Sequence, residues 1–321
     1  MNFRSHEKSR GKSLNPFCIG VLGNPKGWYV QDLVRASTEL AANEGIEIDL
    51  RAFAFESLVA QTRDRCSVWA KPMDSETEQS KASAQDLGAL HTLIVRTMPL
   101  GSLEQIVFRM NALHLAEHSG AHIVNSPRCL EICIDKWLTI QKTRAAGLLT
   151  PATVCCQSRE EALEAWHALG EDCVVKPIFG GEGRGIVRVC DRDMAWRVFS
   201  TLEQLRCAIY IQEFIPCGGC DLRLLVMDDE LYCVRRSGGS NWKANVSQGG
   251  IAEPIEPTFE QAEMAFRAAK IVGGWIVGVD LIESQDGRNM LIEVNAVPGW
   301  RATGKALAID LAKNLLRKLT A

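Results

Sequence analysis

Asp280 is followed thirteen residues later by Glu293, with Asn295 two positions further on. The flanking runs Val277–Ile282 and Asn289–Val294 are aliphatic, and the turn Ser284-Gln285-Asp286-Gly287 lies between them, so both read as strands of a hairpin. Residues two apart in a strand share a face, which places the Glu293 and Asn295 side chains on one surface. Two carboxylates and an amide oxygen are hard donors suited to Mg²⁺ or Mn²⁺. Such ions keep part of their water and share their remaining positions with phosphates. The plainer alternative is a hairpin whose acids are merely solvated.

A second group could meet those phosphates. Val174-Val175-Lys176-Pro177 ends an apolar strand on a lysine, and Phe179-Gly180-Gly181-Glu182-Gly183-Arg184-Gly185 follows before another strand begins. A glycine-rich hairpin can lay backbone N–H groups over a polyphosphate beside a lysine point charge. An exposed lysine on a flexible hairpin is the competing reading. Gln212-Glu213-Phe214-Ile215 ends a further strand, whose exit to the loop Pro216–Cys220 could offer backbone groups to an adenine edge, with Asp221 in reach of a ribose. Arg235, Arg236 and Lys243 flank a glycine-rich segment, Ser237–Asn245, that could close over a transferring phosphoryl group. Gly299–Ala306 nearly spells a Walker A loop, yet Ala306 lacks the hydroxyl that would hold Mg²⁺. Cys217 and Cys220 form one C-x-x-C without a matching second pair, and Cys129 and Cys133 fit a helix core. The six histidines are scattered, and no serine nucleophile elbow is present.

The elements that must position these residues are spread over two halves. The 321 residues suffice for two or three domains, and 46% apolar with 23% charged residues is ordinary for a globular enzyme. A net charge of −3 gives no reason to expect nucleic acid or a membrane surface, and no apolar run reaches the length of a membrane span. Twelve cysteines without a signal peptide point to a reducing cytoplasm. Residues 1–15 read as a solvated tail. Phe17–Leu22, a helix over Tyr29–Asn43 and Ile46–Leu50 open an α/β sheet. The polar stretch Gln61–Asp86 reads as a loop or partly disordered insertion. A strand at Leu90–Val95, a helix over Leu103–Ser119, a short strand at His122–Asn125 and one long helix over Arg128–Ala146 follow. The second half is strand-rich, with helices capped at Ser158 and Thr258 and a closing helix over Lys305–Lys318.

Taken in order, these pieces resemble the ATP-grasp superfamily, and within it the RimK-like amino-acid (α-L-glutamate) ligases. The matching segments are Asn125-Ser126-Pro127 with Asp135-Lys136, Val174–Pro177 with its glycine loop, Gln212–Ile215, Asp221-Leu222-Arg223, Trp242–Asn245, Asp280, and Ile292–Asn295 before Pro298-Gly299. The resemblance implies an ATP-grasp fold, mixed α/β and α+β. A Rossmann-like pre-ATP-grasp domain would cover residues 16–125, and two subdomains within residues 126–321 would clamp ATP. It implies that Lys136 and Lys176 hold the phosphates, Glu213 and Phe214 line the adenine hinge, and Asp221 meets the ribose. Lys243, Ala244 and Asn245 would lie on the nucleotide-covering loop, and Arg223 and Arg236 would stabilise the transferred phosphate. Asp280, Glu293 and Asn295 would bind two Mg²⁺ or Mn²⁺ ions. Ala244, Ser247 and Gln248 depart from the pattern of ribosomal-protein-modifying members. Val297–Arg301 with Val95–Pro99 looks more like the branch that glutamylates methanopterin-type coenzymes.

The expected activity is ATP-dependent joining of a carboxylate to an amine through an acyl phosphate, with L-glutamate as the amine donor by resemblance. Phosphoryl transfer asks for cations and positioning rather than a protein nucleophile, which agrees with the missing His and Ser machinery. Two other readings stand beside it: a P-loop or dinucleotide enzyme, and a non-catalytic nucleotide-binding regulator on the same scaffold. The acceptor carboxylate and any self-association into a homo-oligomer are left open.

Overall fold

The computed structural model describes residues 16–73, 83–181, 183–238 and 250–321. The N-terminal part runs β1 (Phe17–Leu22), α1 (Trp28–Glu44), β2 (Ile48–Phe53), β3 (Val59–Thr62), β4 (Cys66–Ala70), β5 (Gln85–Asp86), β6 (Thr92–Val95), α2 (Leu103–His118) and β7 (His122–Val124). Four of these strands make a parallel sheet in the order β2-β1-β6-β7. The fully buried run Thr92–Val95 is what a strand covered on both faces requires. Helix α2 starts on a complete capping box, Ser102 with Gln105, and α1 stops at Gly45 in the left-handed region.

Residues 61–86 correct one expectation. They are not simply a loop, because β3, β4 and β5 pair into a small antiparallel sheet. Their polar, largely exposed outer positions hide the alternation that would mark strands, although Val68 and Ala70 are buried.

The remaining chain runs α3 (Pro127–Ile134), α4 (Lys136–Ala145), β8 (Thr153–Cys156), α5 (Arg159–Ala168), β9 (Cys173–Lys176), β10 (Val187–Val189), α6 (Arg192–Gln204) and β11 (Ile209–Glu213). It continues through β12 (Cys220–Met227), β13 (Glu230–Ser237), β14 (Ile251–Pro254), α7 (Phe259–Val272), β15 (Ile276–Glu283), β16 (Asn289–Asn295), α8 (Arg301–Leu307) and α9 (Leu311–Thr320). The single helix expected over 128–146 is two. Asp135 takes extended angles and accepts from the Leu138 N–H, so it ends α3 and caps α4. The closing helix also divides, at Ala308 in the left-handed region and the Asp310 cap. Helix α6 and strand β14 have no counterpart in the expectations.

Strands β10-β9-β11-β8 form an antiparallel sheet whose inner face, Cys173, Val175, Ile209 and Ile211, packs on Trp166 and Phe199 of α5 and α6. The opposite face carries Thr153, Lys176, Arg188, Tyr210 and Gln212, as the register requires.

The second sheet is β14-β13-β12-β15-β16. One face, with Leu222, Leu224, Val277, Val279 and Leu281, lies on the alanine-rich side of α7. The other face is divided along its length. Leu225, Met227, Tyr232 and Ile276 pack with Trp300, Leu311 and Leu315 and with Ile19 and Leu33 of the N-terminal part, whereas Asp221, Arg223, Arg236, Asp280 and Glu293 occupy the remainder. The register shifts between Asp280 and Leu281, where Glu293 opposes Asp280 but Leu291 opposes Leu281, so Ile292 is the extra residue of a β-bulge.

Asn125 ties the two parts together. Fully buried, it donates through Nδ2 to the Ile276 and Ala296 carbonyls at 2.6 Å each and accepts at Oδ1 from the Trp275 and Ile276 N–H groups at 2.7 and 3.0 Å. Its replacement leaves several buried backbone groups unpaired, each costing on the order of 1–3 kcal/mol. Asn125→Ala is therefore expected to lower the unfolding free energy by about 3 kcal/mol in urea titrations. A loss below about 1 kcal/mol would show that this clamp is not what joins the two parts.

Candidate active site

The charged region forms where the two sheets turn their polar faces toward one cleft. On the large sheet, Arg223, Asp280 and Glu293 make a cross-strand row over β12, β15 and β16. The Asp280 carboxylate accepts from Arg223 Nε, from Arg223 Nη2 at 2.9 Å, and is met by Arg236 Nη2 at 3.0 Å. Arg236 in turn donates twice to Asp221, Nε to Oδ1 and Nη2 to Oδ2, both at 2.7 Å. Two buried carboxylates, the buried Arg236 and the partly buried Arg223 thus sum to no net charge, which is the condition under which buried ions are tolerable. Burial alone would push the Asp280 carboxyl up, but Arg223 and Arg236 together hold it below the usual carboxylate range. At Asp221 burial wins over the pull of Arg236 and the carboxyl is pushed up.

Gly278 makes the row possible. A Cβ there would lie 3.0 Å from Arg223 Nη1 and 3.2 Å from Pro298 Cβ, so any larger residue would crowd the guanidinium where it lies along the sheet toward Asp280. Glu293 is half-buried, and among the described residues no hydrogen bond or ion pair engages its carboxylate. Asn295, two residues on, accepts from the Val297 N–H through Oδ1 at 2.8 Å.

Across the cleft, Lys176 Nζ donates to Gln212 Oε1 at 2.7 Å. Its ammonium is pushed down to about 8 by burial, with Lys136 adding to the effect and Glu293 and Asp280 opposing it. Lys136 stands at the first turn of α4 because Asp135 breaks the preceding helix, and its Nζ donates to the Gly180 carbonyl of the glycine-rich loop at 2.5 Å. That loop reverses direction at Gly180 and Gly185, both with positive φ.

Other site expectations meet a different geometry. The backbone N–H groups of Glu213 and Phe214 are already donated, to Ala152 and Asp172 carbonyls at 2.8 and 3.0 Å, so these two N–H groups are not open to an adenine edge. The Phe214 ring lies under the Arg188 guanidinium, 3.6 Å from its centroid, and Arg188 is held by both oxygens of Asp172. Asp221 has both oxygens on Arg236 rather than free for a ribose. Ile215, Ile282 and Met290 form a small apolar cluster with Cys217 and Ile292 beside the hinge. Lys243, Ala244 and Asn245 lie outside the described residues. Cys129 and Cys133 lie in the core side of α3, and contact with Cys129 together with burial pushes the Cys133 thiol far up. Residues 301–307 are helix α8, so the segment resembling a Walker A loop is not a phosphate loop. Sequence reasoning did not single out Arg188, Gly278 or the role of Gln212 as a lysine partner. Gly278 could have been found from its place two residues before Asp280, where a strand interior gains nothing from glycine unless another group passes close.

A RimK-like ATP-grasp domain model matches residues 133–319. The chain belongs to the RimK-like ATP-grasp family. The tetrahydromethanopterin:alpha-L-glutamate ligase of Methanocaldococcus jannaschii is 37% identical over 94% of this chain and 97% of its own length. The alpha-aminoadipate–LysW ligase LysX of Sulfurisphaera tokodaii is 29% identical over 68% of this chain and 81% of its own. Among solved structures, the ATP-grasp ligase PsnB complexed with a minimal precursor superposes with a TM-score of 0.69 at 21% identity, covering 95% of this chain and 99% of that one. The RimK domain ATP-grasp protein of Sphaerobacter thermophilus gives 0.66 at 18% identity, over 95% of this chain and 100% of that one. These superpositions establish the ATP-grasp fold. Among the described residues, no helix is long and apolar enough to cross a membrane.

The shared use of Asp280 has a measurable consequence. Breaking a buried ion pair by neutralising one partner costs about 3–5 kcal/mol. Asp280→Asn, which leaves two guanidiniums facing an amide, is expected to destabilise the ligand-free protein by that order in urea unfolding. A change near zero would mean that the arginines find other partners.

Proposed function

We propose that this chain is an ATP-dependent carboxylate–amine ligase that activates a substrate carboxylate as an acyl phosphate and joins it to the amine of L-glutamate. The observation that carries this reading is the cross-strand pairing of Asp280 with Glu293, whose carboxylate no hydrogen bond or ion pair engages among the described residues, on a face whose acids raise the affinity of Lys176 for its proton. Such a cleft offers cations to a triphosphate and open carboxylate oxygens to its metal. The glutamate assignment rests on the name of the methanogen relative, which this chain covers almost from end to end.

In this reading Lys136 and Lys176 bind phosphate oxygens, and the glycine loop supplies N–H groups beside them. The apolar cluster at Ile215, Ile282, Met290 and Ile292 supports the base, with Phe214 held flat by Arg188 at the hinge. The donor set fits Mg²⁺ or Mn²⁺: Glu293 has both oxygens open, Asn295 keeps a second lone pair, and three N–H donors on Asp280 leave it room for one more partner. Two ions held by Asp280, Glu293 and Asn295 would neutralise the phosphate charge that develops in transfer. Arg223 lies beside the same carboxylates and faces the transferred phosphoryl group, with Arg236 behind it and Asp221 as its counter-ion. The substrate carboxylate attacks the γ-phosphorus, ADP leaves, and the glutamate amine then displaces phosphate from the acyl carbon. Each step needs alignment and charge, and no covalent enzyme intermediate.

The test is incubation of purified protein with Mg-ATP, isotopically labelled L-glutamate and a metabolite extract, read by ADP release and mass spectrometry. A labelled product and matching ADP are expected, and Glu293→Ala should abolish both. Turnover retained in Glu293→Ala would remove the metal site from the mechanism. Lys176 supplies a second check. Its ammonium titrates near 8, so ATP affinity should fall as pH rises through that value and the lysine loses its charge. Lys176→Met should bind ATP more weakly at neutral pH and flatten this dependence. An unchanged profile in that variant would take Lys176 out of the phosphate set.

A further inference from the structure

We infer that Gln212 is a positioning residue that fixes the Lys176 ammonium for the nucleotide phosphates through a directional side-chain relay ending on Thr153 and Tyr210. The inference rests on the reading of Lys176 as a phosphate ligand. Gln212 is 2% exposed and sits on the cleft face of β11, diagonal to Lys176 on β9. Its Oε1 accepts from Lys176 Nζ at 2.7 Å, while Nε2 donates to Thr153 Oγ1 and to Tyr210 Oη at 3.0 Å each.

The orientation of the amide is dictated by its neighbours. An ammonium has three donors and no acceptor, so the oxygen of Gln212 must face it. The Thr153 hydroxyl spends its proton on the Pro151 carbonyl at 3.0 Å, so toward Gln212 it can only accept. A flipped amide would set its N–H groups against the ammonium and its oxygen against a hydroxyl with no proton to give. Burial keeps the Tyr210 phenol neutral well above its ordinary range, so that partner does not change with pH under working conditions. The relay is therefore locked in one sense, from Lys176 through Gln212 to Thr153 and Pro151. Locking matters because a lysine ammonium is a mobile charge on a four-carbon stem, and a fixed acceptor selects one of its many rotamers. Gln212 lies too deep in the sheet to be exposed to solvent, so its effect on nucleotide must run through Lys176.

A double-mutant cycle on the full-length chain separates this role from a purely structural one. Affinity for a non-hydrolysable ATP analogue with Mg²⁺ is measured by calorimetry for the native protein, Gln212→Leu, Lys176→Met and the double variant. Each single substitution is expected to weaken binding about tenfold, in line with loss of a hydrogen bond to a charged group. The double variant should bind within about twofold of Lys176→Met alone, because Gln212 has nothing left to position. In turnover, Gln212→Leu should raise KM for ATP about tenfold and leave kcat within about threefold. Losses that multiply in the double variant would overturn the inference, since Gln212 would then act elsewhere. An unchanged affinity in Lys176→Met would instead refute the phosphate role of that lysine. Should Gln212→Leu not fold, Thr153→Val carries the test. It removes one anchor of the amide in a near-isosteric side chain and should weaken binding about threefold, with no further effect in the Lys176→Met background. Multiplying losses there would again count against the relay.

Discussion

Two guanidiniums converge on one buried carboxylate, and most of the site follows from that arrangement. Asp280 can stay ionised at near-complete burial only because Arg223 and Arg236 reach it, and Arg236 can bring its own charge inside because Asp280 and Asp221 both meet it. The register of β12, β13 and β15 sets these four residues on one face, and Gly278 leaves room for the Arg223 side chain. The outcome is a neutral, fully paired floor beside which the Glu293 carboxylate takes part in no hydrogen bond or ion pair among the described residues. A fixed floor of this kind needs little reorganisation when charge moves above it, which is the main way a protein can assist phosphoryl transfer.

The two halves of the large sheet's cleft face divide labour along their length. One half is apolar and buried under the N-terminal part and α9, and the other half is polar and faces the small sheet. Charges on the outer side of that junction reinforce it, with Arg35 meeting Asp310 and Arg317 meeting Glu44. Within it, Arg96 is stacked against Tyr29 and Trp300 and donates to the Pro298 carbonyl at 2.9 Å. Burial pushes its guanidinium down to about 10. The loop that follows β16 is thus held by the N-terminal part, which fixes residues 297–300 beside the charged cleft.

Much of this was legible in the sequence wherever a local rule was enough. The hairpin carrying Asp280 and Glu293 followed from two aliphatic runs around an Asp-Gly turn, and the starts of α5 and α7 from the caps at Ser158 and Thr258. Features set by partners far along the chain were not legible. No glycine or proline marks the break at Asp135, which appears only as a cap once the turn has formed. Asp221 looks like any strand acid until the register sets Arg236 across from it. The hinge amides look available in the sequence, and only strand pairing shows where their protons go. Strands β3 to β5 escaped because an exposed antiparallel sheet carries its apolar residues on one side only, in runs too short to show a period.

The bulge at Ile292 carries a constraint of its own. Strict alternation would send neighbours to opposite faces, yet the extra residue lets Ile292 join the greasy patch beside the hinge while Glu293 still opposes Asp280. One surplus amino acid therefore lets a hydrophobic seat and an acidic grip lie side by side on a single strand. Removing that one position would turn the acid toward α7 or pull away the seat, so the two are held side by side by the residue count of β16 itself.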